Sequence, residues 1–249
     1  MFYLQKEGNS VEEYEDAYSP KCGVDKDAQE FRFALADGAA ESSFPAIWAK
    51  LLVRGFCRRR FDPPQLSGSL VPLQKNWERF VRRRPLAWYA EELFERGGFS
   101  TFLGLTLSQS DRAEALVTCG SWHCVAIGDS CLFHIRRSEL LRSFPKTKSE
   151  EFNNRPYLLS SNPANNGRIG EHLRECRDEW QQDDSFFLMT DALASWFLHS
   201  SERGERPWEL LSELETRDEK KTFSQLVADL RATKVLRNDD TTLVRINVD

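Results

Sequence analysis

Long apolar runs are missing from this sequence of 249 residues. The richest apolar stretch, 44–53, is interrupted by Lys50, so no segment reaches the length of about 18 apolar residues that a membrane-spanning helix needs. The first residues, MFYLQKEGNS, lack the basic, then apolar, then small-residue order of a signal peptide. We therefore expect a cytoplasmic protein that has no membrane partner.

Excess charge of one sign is also missing. The chain has 34 Lys and Arg residues against 39 Asp and Glu residues, which gives a formal net charge of -5. A chain with this balance has no reason to accumulate on nucleic acid. We therefore expect no nucleic-acid partner.

Several well-known site motifs are absent. The 6 cysteines include no CxxC pair, and none of the 4 histidines lies at zinc-ligand spacing from another histidine or a cysteine pair. The glycine-rich phosphate loops and the GxSxG nucleophile turn do not occur either. These absences argue against a zinc site, a nucleotide-phosphate loop and a serine-hydrolase elbow, and they leave the cysteines as reduced core thiols.

The hydrophobic pattern is helical in the first half of the chain and strand-like afterwards. Helical spacing occurs at 44–56, 73–81, 86–94 and 223–230. Short β-prone runs occur at 31–36, 101–107, 115–119, 122–127, 131–135, 186–190 and 241–248. The pattern predicts an α+β fold with antiparallel sheets and a mainly helical segment at about 43–96.

Loops are predicted from glycine, asparagine and polar residues. The glycine-containing links at 120–121 and 128–130 predict hairpins between the strands that they join. The polar stretch 137–184 predicts irregular structure, either a flap beside a site or a surface excursion. We expect residues 1–249 to form a single domain.

Acidic residues lie at strand ends. Asp37 and Asp191 each follow an apolar strand, and Asp239 precedes one, so an antiparallel sheet would bring all three to one rim. Clustered carboxylates repel unless they are protonated or bridged by cations, and Mg²⁺ and Mn²⁺ prefer such oxygen ligands. The alternative is that each acid is only a turn residue in a soluble protein.

Six segments together carry a family resemblance. They are EYEDAY at 13–18, FALADGAAESS at 33–43, GGFSTFLGL at 97–105, VAIGDSCLFHIR at 125–136, FFLMTDALASW at 186–196 and NDDTTLVRI at 238–246. In this order the series resembles the metal-dependent type-2C protein phosphatases, the PPM family, in their bacterial form. The resemblance implies a four-layer α/β/β/α sandwich of two antiparallel sheets flanked by helices.

The resemblance implies which residues bind two Mg²⁺ or Mn²⁺ ions. Asp37 matches the aspartate that bridges both ions, and Gly38 matches the glycine whose carbonyl oxygen joins the second ion. Asp191 and Asp239 match the other direct ligands of the first ion.

Three further acids match residues around the metal pair. Glu15 and Asp16 match the acidic pair that holds metal-bound waters, and Asp129 matches an aspartate that binds a third, weaker ion. The implied activity is hydrolysis of phosphoserine or phosphothreonine in a protein by a hydroxide that bridges the metals, with no catalytic side-chain nucleophile.

Three positions depart from the family pattern. Val11 stands where the family often has a phosphate-gripping arginine, Ala39 where it often has a histidine, and Ser195 where it usually has an aspartate. These departures keep a second hypothesis open, in which the chain is a regulatory homologue that binds a phosphoprotein without efficient hydrolysis.

Basic residues are concentrated in the helical segment. Residues 50–96 contain eleven Lys and Arg against five Asp and Glu. The run Arg82, Arg83 and Arg84 is either a docking surface for a phosphorylated protein or the solvated face of a helix.

Overall fold

The structure is a computed structural model that describes residues 1–20, 29–60, 66–84, 88–109, 119–152, 155–214 and 219–248. The strand predicted at 115–119 lies outside the described residues, except for Cys119. None of the helices in these ranges has both the length and the apolar character needed to cross a lipid bilayer.

Two five-stranded antiparallel sheets form the centre of the molecule. In spatial order, the first sheet contains β1 (Phe2–Leu4), β12 (Thr241–Asn247), β11 (Ser185–Met189), β7 (Cys131–Arg136) and β8 (Glu139–Phe144). The second contains β10 (Arg174–Gln181), β6 (Cys119–Ile127), β5 (Phe102–Gln109), β3 (Glu30–Ala36) and β2 (Ala17–Ser19). A separate pair joins β4 (Phe99–Ser100) to β9 (Leu159–Ser160).

Helices cover the outer faces of both sheets. Those of the first half are α1 (Pro45–Cys57), α2 (Leu66–Ser69), α3 (Val71–Arg82) and α4 (Trp88–Arg96), and α1 packs on β2 and β3. The later helices are α5 (Ile169–His172), α6 (Asp191–Glu202), α7 (Pro207–Ser212) and α8 (Glu219–Ala232), of which α6 packs on β12 and α8 on β1. Short 3₁₀ turns lie at Val11–Glu13, Ser149–Glu151 and Pro163–Asn166.

Alternation along the strands divides the core into layers. Phe33 and Leu35 of β3 pack between the two sheets, whereas Ala34 packs with α1. In β11, Phe186 packs between the sheets and Phe187 packs with the later helices. Because 33–36 of β3 and 186–189 of β11 are buried on both faces, these parts of the strands are continuous apolar runs. The predicted sandwich of two antiparallel sheets flanked by helices is confirmed.

Both hairpins predicted from glycine-containing links are wrong. Gly120 and Ser121 lie inside β6, where a Cβ on Gly120 would come within 2.7 Å of the Trp180 ring and 2.0 Å of the Ser108 carbonyl oxygen. Glycine is present there because β6, β5 and the Trp180 ring approach closely. The link at 128–130 crosses from one sheet to the other, since β6 already pairs with β5 and β10, and β7 with β8 and β11.

The prediction of irregular structure across 137–184 is wrong over much of its length, because β8, β9, α5 and β10 lie within it. β8 and β10 are edge strands whose residues are mostly exposed, so they lack the apolar alternation that identifies a strand. Helix α6 was also not predicted. It begins at Asp191, directly after the end of β11, and its apolar residues were not recognised as a helical pattern.

A buried carboxylate connects the first sheet to the turn between β10 and β11. Asp184 is fully buried and accepts hydrogen bonds from Nε2 of His134 and from Nε and Nη2 of Arg136, each at 2.8 Å. It also accepts the backbone N–H of Gln181 at 2.9 Å. Burial by itself would raise the pKa of Asp184, but these hydrogen bonds outweigh burial and hold the pKa below its usual range.

Asp184→Asn is expected to lower the free energy of unfolding by about 3 kcal/mol at neutral pH, because it removes the counter-charge of the partly buried Arg136 and weakens the hydrogen bond to the buried His134. Since the native pKa is lowered, this contribution is present above the unfolded pKa of about 3.9 and is lost as the pH falls through the native value. Urea unfolding of the variant and the wild type across pH measures the difference.

Asp178→Asn is the matched control. Asp178 pairs with Arg142 at 2.7 Å on the surface, where both side chains are more than a third exposed. We expect this variant to differ from the wild type by less than about 1 kcal/mol. Equal effects of the two substitutions would contradict the role given to Asp184.

Candidate active site

Asp191 and Asp239 lie side by side at one end of the first sheet. β11 and β12 are antiparallel neighbours, so the residues after β11 meet the residues before β12. Oγ1 of Thr190 accepts the backbone N–H of Thr242 at 3.0 Å, which ties the two chain segments together at this rim. Asp191 is the first residue of α6, where the helix dipole favours a negative charge.

Asp37 follows β3 at the end of the second sheet. Its backbone N–H donates to Oγ1 of Thr101 at 2.9 Å, and its carbonyl oxygen accepts the N–H of Thr101 at 2.8 Å. Oγ1 of Thr101 is also 2.8 Å from Oγ of Ser130, which follows Asp129 in the crossing between the sheets. Thr101 therefore links the backbone of Asp37 to the segment that carries Asp129.

Gly38 lies where three chain segments approach closely. A Cβ at this position would be 2.8 Å from the carbonyl oxygen of Glu15 and 2.9 Å from Cβ of Pro45. Any side chain larger than hydrogen would therefore push the segment of Glu15 and Asp16 away from the end of β3.

The side chain of Asp16 is buried. The Thr242 hydroxyl donates to Oδ2 of Asp16 at 2.6 Å, and the hydroxyl of Tyr14 hydrogen-bonds to the same threonine oxygen. Oδ1 of Asp16 is buried and has no hydrogen-bond partner in the part of the chain that the structure describes. A buried carboxylate oxygen with no partner is costly unless a ligand satisfies it.

Asp240 was not predicted as a site residue. Its two carboxylate oxygens accept the backbone N–H groups of Lys6 and Glu15, each at 2.7 Å. It thereby fixes the N-terminal segment against the start of β12. Its position next to Asp239 was the signal in the sequence, but hydrogen bonds between residues so far apart in the chain cannot be derived from spacing.

The acids act on one another electrostatically. Burial raises the pKa of Asp37 well above its usual range, and the negative charges of Asp16 and Asp191 raise it further. Asp129 and Asp239 contribute in the same direction. The structure therefore brings together five acids predicted from different motifs.

The pKa values of the surrounding acids are raised for the same reasons. Burial, assisted by the charge of Asp191, raises the pKa of Asp129 to about 7. Burial and the charges of Asp240 and Asp239 raise the pKa of Glu15 to about 7. Ionising all of these acids together is therefore unfavourable unless a cation compensates their charge.

A cation that was not predicted from the sequence contacts this cluster. The guanidinium of Arg237 contacts Oδ2 of Asp191, and its Nη2 lies 3.6 Å from Oδ2 of Asp239. Burial raises the pKa of Asp191, and the charge of Arg237 opposes that rise. The arginine lies in a polar loop, where sequence alone gives no partner for it.

The three positions that depart from the family pattern are Val11, Ala39 and Ser195. Val11 is 59% exposed in a 3₁₀ turn, so it presents no cation to a phosphate. The backbone N–H of Ala39 donates to the carbonyl oxygen of Phe99 at 3.0 Å. Ser195 lies within α6.

The basic run at the end of α3 is partly bound to neighbouring side chains. Arg82 pairs with Glu78 at 2.8 Å, and the Arg84 guanidinium lies 4.8 Å from the centre of the Phe80 ring and 5.5 Å from that of Phe44. Arg83 is exposed at the end of the helix. Phe44 directly precedes α1, so the run extends toward the segment that follows Gly38.

The donor set suits a hard divalent cation. Its side chains are carboxylates, the oxygen ligands that Mg²⁺ and Mn²⁺ prefer. Among the described residues, no donor lies at hydrogen-bond distance from Oδ1 of Asp16. Within the described residues, however, no three His, Cys, Asp or Glu side chains are already arranged to hold an ion. The carboxylate oxygens of the cluster therefore suit such an ion in their chemistry. The Arg237 guanidinium contacts two of these carboxylates, those of Asp191 and Asp239.

Gly38→Ala is expected to destabilise the fold by about 2 kcal/mol, because the added methyl group overpacks the contact between Glu15 and Pro45. Thermal or urea unfolding measures the loss. Gly167→Ala is the control, since a Cβ at Gly167 meets nothing within 4 Å and its φ of -60° suits alanine. A Gly38→Ala variant as stable as the control would contradict the close approach.

Comparison with known proteins shows similarity of structure but not of sequence. No model of a protein family matches the chain, and no curated protein matches it. The structure superposes on a point mutant of a bacterial serine phosphatase with a TM-score of 0.57 at 12% identity, covering 100% of this chain and 97% of that one.

Two further solved structures are similar over most of their length. The serine/threonine phosphatase of S. agalactiae gives a TM-score of 0.53 at 12% identity, with 99% of this chain and 98% of that one covered. The photosystem II phosphatase PBCP gives 0.50 at 13% identity, with 94% and 92% covered. The chain therefore has the fold of the bacterial serine/threonine phosphatases that its motif series resembles.

Proposed function

We propose that the protein is a Mg²⁺- or Mn²⁺-dependent phosphatase that hydrolyses phosphoserine or phosphothreonine in a protein. The observation that carries this proposal is the cluster of acids at the rim, whose joint ionisation needs compensating protons or cations. Among the described residues, the cluster also contains a buried carboxylate oxygen, Oδ1 of Asp16, with no hydrogen-bond partner. The cluster occurs in a fold shared with bacterial serine/threonine phosphatases.

The proposed ligands of the two ions are Asp37, the carbonyl oxygen of Gly38, Asp191 and Asp239. Glu15 and Asp16 would hold water molecules on these ions, and Asp129 would hold a third, weaker ion. Divalent cations in such a site lower the pKa of water to near neutrality and offset the charge on phosphoryl oxygens.

The protein's own groups hold these carboxylates in place. The hydroxyl of Thr242 orients Asp16, and Thr101 fixes the backbone of Asp37. Such supporting hydrogen bonds orient metal-binding groups and keep their side chains from rotating. The rigid sheet ends therefore set the positions of the acids more closely than free loops would.

The second candidate function is phosphoprotein binding without efficient hydrolysis. It is favoured by Val11 and Ala39, which cannot grip phosphate or donate a proton, and by the ion pair of Arg237 with Asp191. The two candidates differ in one measurable result, which is phosphate release.

Asp37→Asn and Asp191→Asn are each expected to lower Mn²⁺-dependent hydrolysis of an aryl phosphate by about 100-fold or more, since removing a direct ligand costs more than removing an outer partner. Phosphate release from purified protein is measured with and without Mn²⁺. Asp178→Asn makes the same chemical change at an exposed ion pair and should retain full activity.

Absence of phosphate release from the wild type, with binding of a phosphopeptide detected by calorimetry, would favour the second candidate. Activity that survives both substitutions would refute the metal-dependent phosphatase.

Simultaneous reversal of charge at Arg82, Arg83 and Arg84 to glutamate is expected to lower kcat/KM for a phosphoprotein by about tenfold, through slower association. Hydrolysis of a small aryl phosphate by the same variant is the control and should not change. Equal losses on both substrates would indicate a structural effect rather than docking.

A further inference from the structure

The side chain of Arg237 lies over two of the proposed metal ligands. Its guanidinium contacts Oδ2 of Asp191 and approaches Oδ2 of Asp239 to 3.6 Å, while 46% of the arginine side chain stays exposed. Its charge also lowers the pKa of Asp129, although burial and Asp191 raise that pKa overall. The arginine therefore acts on three acids of the cluster at once.

The loop that carries Arg237 is held by other contacts. Nη2 of Arg231 donates to the carbonyl oxygen of Asp239 at 2.5 Å, and its Nη1 donates to the carbonyl oxygen of Gln5 at 3.1 Å. The Asp240 carboxylate is fixed by two backbone N–H groups. Loss of the Arg237 side chain should therefore leave the backbone of the loop in place.

A guanidinium and a divalent cation cannot share these carboxylates at full strength. Arg237 contacts Oδ2 of Asp191, and Oδ1 of the same carboxylate already accepts the backbone N–H of Ala192, so few of its lone pairs are left for an ion. The two positive charges also repel each other at short distance. Arginine cannot lose its charge by deprotonation near neutral pH, so it can leave the carboxylates only by rotating away. Its half-exposed position gives it solvent into which to rotate.

On the basis of the proposed function, we propose that Arg237 is a built-in competitor of the divalent cation at Asp191 and Asp239. Binding of the ion breaks the ion pair and moves the guanidinium into solvent. The arginine is then a positioning residue that sets the cation concentration at which the site fills. When the cation is scarce, the arginine offsets part of the charge of the two carboxylates in its place.

Arg237→Gln is expected to bind Mn²⁺ about tenfold more tightly than the wild type, because the cation no longer displaces a charge-assisted hydrogen bond. Isothermal calorimetry with Mn²⁺ alone, without substrate, measures the dissociation constant. Thermal unfolding of the variant without the cation shows that it is folded.

Arg142→Gln is the matched control. Its side chain is 47% exposed, close to the value for Arg237, and it pairs with Asp178 rather than with the cluster. The substitution changes the net charge by the same amount, so it corrects for long-range attraction of cations. We expect its Mn²⁺ affinity to equal that of the wild type.

Arg237→Lys keeps the positive charge without the planar fork and is expected to lie between the wild type and Arg237→Gln. Equal Mn²⁺ affinity in the wild type and Arg237→Gln, weaker affinity in Arg237→Gln, or equal tightening in Arg142→Gln would each overturn the competition.

The proposed function is judged separately, by phosphate release. Hydrolysis by the wild type together with an unchanged affinity in Arg237→Gln would refute only the competition. Tighter Mn²⁺ binding by Arg237→Gln without hydrolysis in any variant would support the competition and refute the phosphatase.

Discussion

Repulsion among buried and partly buried carboxylates is the constraint on which the candidate site depends. Asp37, Asp16 and Asp191 come from separate parts of the chain, and each raises the free energy of ionising the others. A fold that gathers such groups loses stability unless protons or cations compensate their charge. The site is therefore destabilised by its own composition, and its neighbours must hold it together.

The sandwich meets this constraint with rigid sheet ends. The antiparallel pairing of β11 with β12 fixes the positions of Asp191 and Asp239 at the ends of these strands. The link between the sheets carries Asp129 to the same rim. Thr101 accepts a hydrogen bond from the backbone N–H of Asp37, and Thr242 donates one to the carboxylate of Asp16. These neutral groups orient the acids without supplying a positive charge, so compensation is left to protons or cations.

Arg237 changes how that charge is compensated. A permanent cation held against carboxylates that are proposed to bind metal reduces their repulsion, and it also weakens the hold of those carboxylates on any other cation. The same contact therefore bears on the stability of the protein, on the proposed binding of a divalent cation and on the choice between the two candidate functions.

The prediction of secondary structure succeeded where residues are apolar and buried. The strands around 33–36 and 186–190 and the helices α1, α3 and α8 were recognised, because burial on one or both faces imposes a strong pattern. The edge strands β8 and β10 were missed because exposure removes that pattern. Gly120 was predicted to be a turn residue. The reason for a glycine at this position is the Trp180 ring beside it, which belongs to a strand far along the chain.

The sequence by itself determined the α+β class, the placing of acids at strand ends and the resemblance to a phosphatase family, since these depend on local pattern and order. Only the tertiary structure decided which acids meet, that Asp240 fixes the N-terminal segment and that Arg237 pairs with Asp191. The physical reason is that ion pairs and shifts of pKa depend on distance in space and on burial, and neither quantity is encoded by spacing along the chain.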